Sequence, residues 1–191
     1  LKNYLNKSIR KFDKVIVCDF GHGLLNNEII KIIQKKSKYL CLNVQTNSGN
    51  RGYNLFKKYD YANLLMLDEP EVRLGLQDRY SSLTDIIKNN QLKKFKDLII
   101  TRGIKGLAFR SMRNKSSYLS FKALNVNAID TMGAGDAAFA YSCMFFNNTQ
   151  DKLLTGLLAS IAGAIKTTIV GHESIVNNKQ VERTLESILK K

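Results

Sequence analysis

The residues best suited to chemistry are Asp130-Thr131-Met132-Gly133-Ala134-Gly135-Asp136, a run of small residues bounded by carboxylates. Gly133, Ala134 and Gly135 leave backbone N–H groups open to an anion, and a helix expected over 137–146 adds the positive end of its dipole. A multiply charged phosphate fits such a cradle. A carboxylate beside a bound anion is repelled unless it has a task, and the task open to Asp136 is to take a proton from an attacking hydroxyl. Cradle and base together are the equipment of phosphoryl transfer; the competing reading of Asp136 is a plain helix cap.

Asp68 and Glu71 form a second group. In Asp68-Glu69-Pro70-Glu71 they could organise Mg²⁺ through water, since that ion prefers hard oxygen ligands and keeps several waters; an ordinary acidic helix start is the alternative. Thr101, Gly103 and Gly106 make a turn whose glycines admit close backbone approach, or a plain β-turn. His22 and His172 have no cluster around them and read as loop histidines.

Positioning these groups requires an alternation of strands and helices. Strands are expected at 14–19, 39–44, 63–67 and 97–101, with antiparallel strands at 107–111 and 118–121 around a charged hairpin. Helices are expected at 1–10, 26–36, 81–90, 137–146, 152–168 and 179–189, with a helical turn at 55–59 and another helix opening around Pro70. The pattern predicts a single α/β domain over 1–191, a doubly wound, mostly parallel sheet with helices on both faces. Asp19, Asn43, Asp68 and Thr101 then fall at the carboxyl edge, where such sheets bind ligands. The polar stretch 45–54 reads as a ligand loop.

Gly133 to Ala138 also fits the loose G-x-G-x-x-A form of a dinucleotide fingerprint, but two helices follow it with no strand between, against a nicotinamide-dependent oxidoreductase. There is no Walker A motif.

The run Asp130 to Asp136, followed by Ala137, Ala138 and Phe139, resembles the C-terminal signature of the PfkB, or ribokinase-like, carbohydrate kinases. Three stretches resemble other family motifs in the same order. Residues 15–25 are similar to the strand ending in Asp-Tyr-x-x-Gly, 64–71 to the strand leading into Asn-x-x-Glu, and 99–106 to the strand and Gly-turn beside the nucleotide. The likeness runs from about Asp13 to Gly171. The loop Gln45-Thr46-Asn47-Ser48-Gly49-Asn50-Arg51-Gly52-Tyr53-Asn54 looks most like the branch that phosphorylates heptose phosphates or similar sugars for bacterial surface polysaccharides.

The resemblance implies ATP as donor, a sugar or sugar phosphate as acceptor, Asp136 as base and the Gly133–Gly135 amides as anion hole. It implies Mg²⁺ near Glu71 and Asp68, and a monovalent cation such as K⁺ near Asp130 with carbonyls of Thr131 and the Val170-Gly171 turn. Thr101, Gly103 and Gly106 would underlie the nucleotide. Ser160 stands where many relatives carry Asn near the adenine. The family has Asn at Asp68, and related heptose kinases have Asp and Lys at Asn43 and Gln45, so Arg51 is the candidate to replace that Lys on phosphate. Because the first residue is Leu1 and nothing matches the family's N-terminal sugar site and small lid, the chain reads as a C-terminal fragment, which leaves room for a fused nucleotidyltransferase domain and a homodimer, with a folded but inactive kinase-like fragment as an alternative.

Composition agrees with a soluble enzyme: 191 residues, 44% hydrophobic and 24% charged. The longest apolar stretch, 153–170, is interrupted by Gly156, Ser160, Gly163 and Lys166, so neither a membrane span nor a signal peptide is expected, and a cytoplasmic location follows. Cys18, Cys41 and Cys143 read as buried thiols. A net charge of +14 and pI near 9.7 raise nucleic-acid binding. The lysines are spread over helix faces without aromatic interleaving, which favours solvated surfaces and no nucleic-acid partner.

Overall fold

The computed structural model describes residues 1–111, 117–124, 127–145, 151–171 and 173–190. Six strands form one sheet in chain order: β1 (Val15–Asp19), β2 (Leu40–Val44), β3 (Ala62–Asp68), β4 (Phe95–Thr101), β5 (Leu107–Ser111) and β6 (Leu119–Phe121). β1, β2 and β3 pair in parallel, with Val15 opposite Leu40 and Cys41 opposite Leu64; β6 returns antiparallel to β5, with Phe109 opposite Leu119. The mostly parallel α/β architecture expected from the alternating pattern is present. The chain forms two compact units, Leu1–Ile100 with Arg110–Tyr118, and Thr101–Phe109 with Leu119–Lys191.

In the first unit, β2 is buried at every position and β3 at every position before Asp68, as expected for central strands. Each fully buried Leu, such as Leu42, Leu64 and Leu65, is worth about 1.5–3 kcal/mol. β1 lies at one end of the strand order and alternates instead: Val17 and Asp19 are buried, Ile16 and Cys18 exposed. The expectation of three buried thiols therefore holds for Cys41 and Cys143 and fails for Cys18, which an edge strand turns to solvent.

Helix α1 (Lys2–Ser8) gives way to a 3₁₀ turn at Ile9–Lys11. Helix α2 (Asn27–Lys36) is capped by Asn26, whose Oδ1 accepts the Ile29 N–H at 3.0 Å, and it buries Ile29, Ile30 and Ile33. Helix α3 (Glu69–Leu76) follows β3 directly, with Pro70 in its first turn. The helix expected over 81–90 is shorter, α4 (Leu83–Lys88), because Asn89 turns extended at ψ 134° and its Oδ1 accepts from Gln91 N, opening a separate 3₁₀ turn.

The second unit packs α5 (Ala134–Phe145), α6 (Lys152–Lys166) and α7 (Asn178–Leu189) around Tyr141, Leu158, Ile161, Ala162 and Val181. Asp151 caps α6 through the amides of Leu153 and Leu154, and Asn177 and Gln180 form a capping box on α7. Gly156 is small for a reason: a Cβ there would collide with the Phe121 ring of β6. The charged hairpin at 112–116, Phe146 and His172, all part of the sequence reading, lie outside the described residues.

Candidate functional site

Helix α5 begins three residues earlier than the sequence implied, so Ala134, Gly135 and Asp136 form its first turn and only Gly133 precedes it. Gly133 takes φ 76°, a left-handed value that favours glycine, and redirects the chain into the helix. The Ala134 N–H turns back to Thr131 O at 3.2 Å, and the first i→i−4 bond runs from Ala137 N to Gly133 O at 2.9 Å. The Gly135 and Asp136 amides thus sit in the first turn, where α-helix N–H groups have no i−4 partner and the dipole is positive. Gly135 and Asp136 are exposed, and a Cβ at Gly135 would meet nothing within 4 Å. The arrangement is a positively polarised helix start whose first turn carries a carboxylate on an exposed residue.

In the same unit, Thr101 ends β4 and the 3₁₀ turn Gly103–Lys105 follows, closed by Arg102 N to Gly106 O at 2.8 Å. Gly103 and Gly106 take φ 54° and 83°, and a Cβ on Gly106 would run into the carbonyl of Phe121. Ser160 lies within α6, where its Oγ is buried and has no hydrogen-bond partner.

In the first unit, Asp19 is 3% exposed at the end of β1. Its Oδ1 accepts the Gly21 N–H at 3.0 Å, and its Oδ2 accepts the Tyr59 hydroxyl at 2.6 Å and faces Lys58 Nζ at 2.6 Å. Burial opposes the charge of Asp19, but the bonds from Lys58, Tyr59 and Gly21, with the Lys58 charge, together hold its carboxyl below the usual value. The loop at 45–54 is lashed to this point. Asn54 Nδ2 donates to Asp19 O and Gln45 O at 2.9 and 2.8 Å, Asn50 Nδ2 donates to Phe20 O at 2.8 Å, and Asn54 Oδ1 accepts from Lys58. Arg51 stands exposed on that loop. Asn43 is buried and donates to Met66 O at 2.9 Å, while its Oδ1 accepts from Gln45 Nε2 at 2.8 Å, so this side chain is committed to the framework.

Glu71 ties the same loop to β3. Its Oε1 accepts the Thr46 N–H and its Oε2 the Asp68 N–H, both at 3.0 Å. Asp68 is exposed at the strand end, where partial withdrawal from water pushes its carboxyl up, a backbone bond from Glu69 opposes the rise and the Glu69 charge adds to it. Among the described residues no three His, Cys, Asp or Glu side chains cluster as a metal cage. Asp68 and Glu71 form a capping box at the start of α3, the acidic helix start that was the alternative reading, and Mg²⁺, which is commonly held by one or two carboxylates, waters and substrate phosphates, would draw on the carboxylate capacity this leaves over.

A monovalent cation near Asp130 fits poorly. Asp130 Oδ1 accepts Met132 N–H at 2.8 Å and Oδ2 accepts Gly171 N–H at 2.7 Å, while the carbonyls of Ile169 and Gly171 receive Lys166 Nζ at 3.2 and 2.9 Å. Of the groups expected to hold the ion, Gly171 O already serves an ammonium, the Asp130 oxygens bracket two amides and Thr131 O accepts the Ala134 N–H.

No family model matches the chain. The bifunctional protein HldE of Campylobacter jejuni strain RM1221 is 27% identical over 176 residues, covering 89% of this chain and 36% of that protein. The HldE of Campylobacter jejuni subsp. doylei is 28% identical over 177 residues with the same coverage, so the chain spans 36% of the length of these curated relatives. Arabidopsis thaliana ribokinase, complexed with ribose and ATP, superposes with a TM-score of 0.76 at 16% identity, over 96% of this chain and 59% of that one. Escherichia coli phosphofructokinase-2, in complex with potassium, gives 0.77 at 12% identity, over 100% and 62%. The fold is ribokinase-like.

Within this ribokinase-like fold, four residues that hold or charge the candidate regions escaped the sequence reading: Asn54, Lys58, Tyr59 and Lys166. Lys166 had a legible signal, a lysine that closes the mostly apolar run 153–165, where a buried charge needs a reason. Tyr59 and Lys58 had none, because their partner Asp19 lies about forty residues upstream.

Proposed function

We propose that the chain carries the nucleotide-binding and catalytic portion of an ATP-dependent carbohydrate kinase. The observation that carries the reading is the start of α5: a left-handed Gly133 that turns the chain into a helix whose first turn carries the exposed residues Gly135 and Asp136. Asp136 would take the proton of an acceptor hydroxyl, and the Gly133–Gly135 backbone would stabilise charge on the transferring phosphoryl group. The turn at Thr101, Gly103 and Gly106 and the buried hydroxyl of Ser160 would serve the nucleotide, and Arg51 a phosphate. Mg²⁺, held through water by Asp68 and Glu71, would neutralise phosphate charge.

The likeness to HldE and the form of the 45–54 loop support a sugar phosphate, a heptose phosphate in particular, as acceptor. We also propose that the chain works as a single functional domain of a longer cytoplasmic protein, with a nucleotidyltransferase domain elsewhere in it and a homodimer as its assembly. Among the described residues no helix is long and apolar enough to cross a membrane.

The test is ADP release by the full-length protein over a panel of sugars and sugar phosphates, heptose phosphates included, where turnover with one class of acceptor is expected. The 191-residue chain alone, titrated calorimetrically with ATP and assayed on the same panel, is expected to bind ATP weakly with Mg²⁺ and to transfer almost no phosphate, because the acceptor is not held. ATP binding by the full-length protein without turnover on any acceptor would remove the kinase assignment, and salt-sensitive binding of nucleic acid in place of ATP would favour the basic-module alternative.

A further inference from the structure

Lys166 ends α6 and is 9% exposed, an unusual setting for lysine. Its Nζ reaches past the helix terminus to the carbonyls of Ile169 and Gly171. A Cβ built on Gly133 would stand 3.3 Å from Lys166 Cε, so the stem runs beside the turn that opens α5. The same two segments are locked together elsewhere. The amides of Ile129 and Asp130 donate to Thr167 O at 2.9 and 3.2 Å, and Asp130 clamps Met132 N and Gly171 N with its two oxygens.

Carbonyl oxygens converging on one positive charge next to a carboxylate-braced turn are the donor set of a monovalent cation site, filled here by the chain itself. Capping the α6 dipole would not require this reach, since Ile169 and Gly171 lie beyond the helix. We propose that the Lys166 ammonium is a tethered cation that replaces a monovalent metal ion beside the start of α5, so that the protein needs neither K⁺ nor Na⁺ there. Its charge adds to the α5 dipole where an anion would bind. The identity of that anion as a nucleotide phosphate rests on the proposed kinase function; the placement of the ammonium does not.

Two measurements test this, and the first needs no variant and no ligand. The melting temperature of the protein is compared in KCl, NaCl and choline chloride at equal ionic strength. Equal values are expected, and a stabilisation specific to K⁺ or Na⁺ overturns the proposal. The second is the affinity for inorganic tripolyphosphate of the unaltered protein and of Lys166→Met in the same salts. The variant is expected to bind about tenfold more weakly in choline chloride, as loss of a nearby charge would give, and to recover part of that in KCl. Unchanged affinity, or a loss that K⁺ leaves untouched, overturns it. If Lys166→Met does not fold, the first comparison decides. Failure of ATP turnover by the full-length protein on every acceptor would sink the kinase assignment alone and leave the melting comparison standing.

Discussion

The Tyr59 hydroxyl donates to Oδ2 of Asp19 at 2.6 Å across 40 residues of chain, fastening a short turn to the end of β1. Both side chains are buried, and the phenol is pushed above its usual range by burial first and then by the bond and charge of Asp19. Tyr59→Phe leaves that carboxylate one donor short and should cost about 1–3 kcal/mol. Lys58→Met, which strips its counter-charge, should cost about 3–5 kcal/mol.

The pH dependence follows from the direction of the Asp19 shift. Its folded-state value lies below the usual 3.8, so the stability it contributes is fully present above that value. It is lost as pH falls through the lower folded value. Urea unfolding of the unaltered protein should therefore lose stability below about pH 4, and Tyr59→Phe should show a shallower acid loss, because the weaker network shifts Asp19 less. Identical acid slopes would detach Asp19 from this effect.

Gly106 predicts a contrast within one turn. Gly106→Ala forces a side chain into a φ of 83° and against the Phe121 carbonyl, and the strained dihedral alone costs about 1–3 kcal/mol. Gly103 also has positive φ but open space around a Cβ, so Gly103→Ala should lose only the dihedral term. Thermal melts of the two variants should separate, with Gly106→Ala the lower.

Strand and helix positions were legible because hydrophobic period and turn chemistry are local. β2, β3, α2 and α7 stand within a residue or two of expectation. What misled was context. The small residues Ala134 and Gly135 read as loop, yet they continue into a helix because Gly133 absorbs the left-handed turn before them. Cys18 read as buried because an apolar run does not say whether its strand lies at an edge. Asp19 and Asn43 were legible by their place at the carboxyl edge and Glu71 by its spacing from Asp68, but their partners come from segments distant in sequence, which no local pattern pairs.

Glu71 joins two segments through one carboxylate, and Glu71→Ala releases the amides of both Thr46 and Asp68. The expected cost is roughly 1–3 kcal/mol in unfolding experiments. If Glu71 also orders Mg²⁺ through water, the Mg²⁺ concentration needed for half-maximal ATP binding should rise in the same variant. A stability loss with an unmoved Mg²⁺ midpoint would confine Glu71 to its bracing role.

Gly135→Val separates folding from anion approach. The position is exposed, its φ is not left-handed and a Cβ would meet nothing within 4 Å, and valine is a better helix former than glycine, so the variant should fold with a melting temperature at or slightly above that of the unaltered protein. The branched side chain would nevertheless stand over the first-turn amides. Phosphoryl transfer should be lost in a protein that melts normally, and retained activity would show that the anion does not rest on this turn.

Asp136→Asn tests the base itself. The amide is nearly isosteric with the carboxylate and keeps the exposed place in the first turn of α5, but it cannot accept a proton. Removing a negative charge beside an anion site should not weaken nucleotide binding, so calorimetric ATP affinity should stay at or above that of the unaltered protein. Turnover on the acceptor found in the panel should fall by about 10²–10⁴-fold, the usual contribution of a positioned general base. A loss of affinity with turnover at saturation unchanged would make Asp136 a structural cap; the opposite split, with kcat falling and ATP affinity preserved, identifies it as the group that takes the proton.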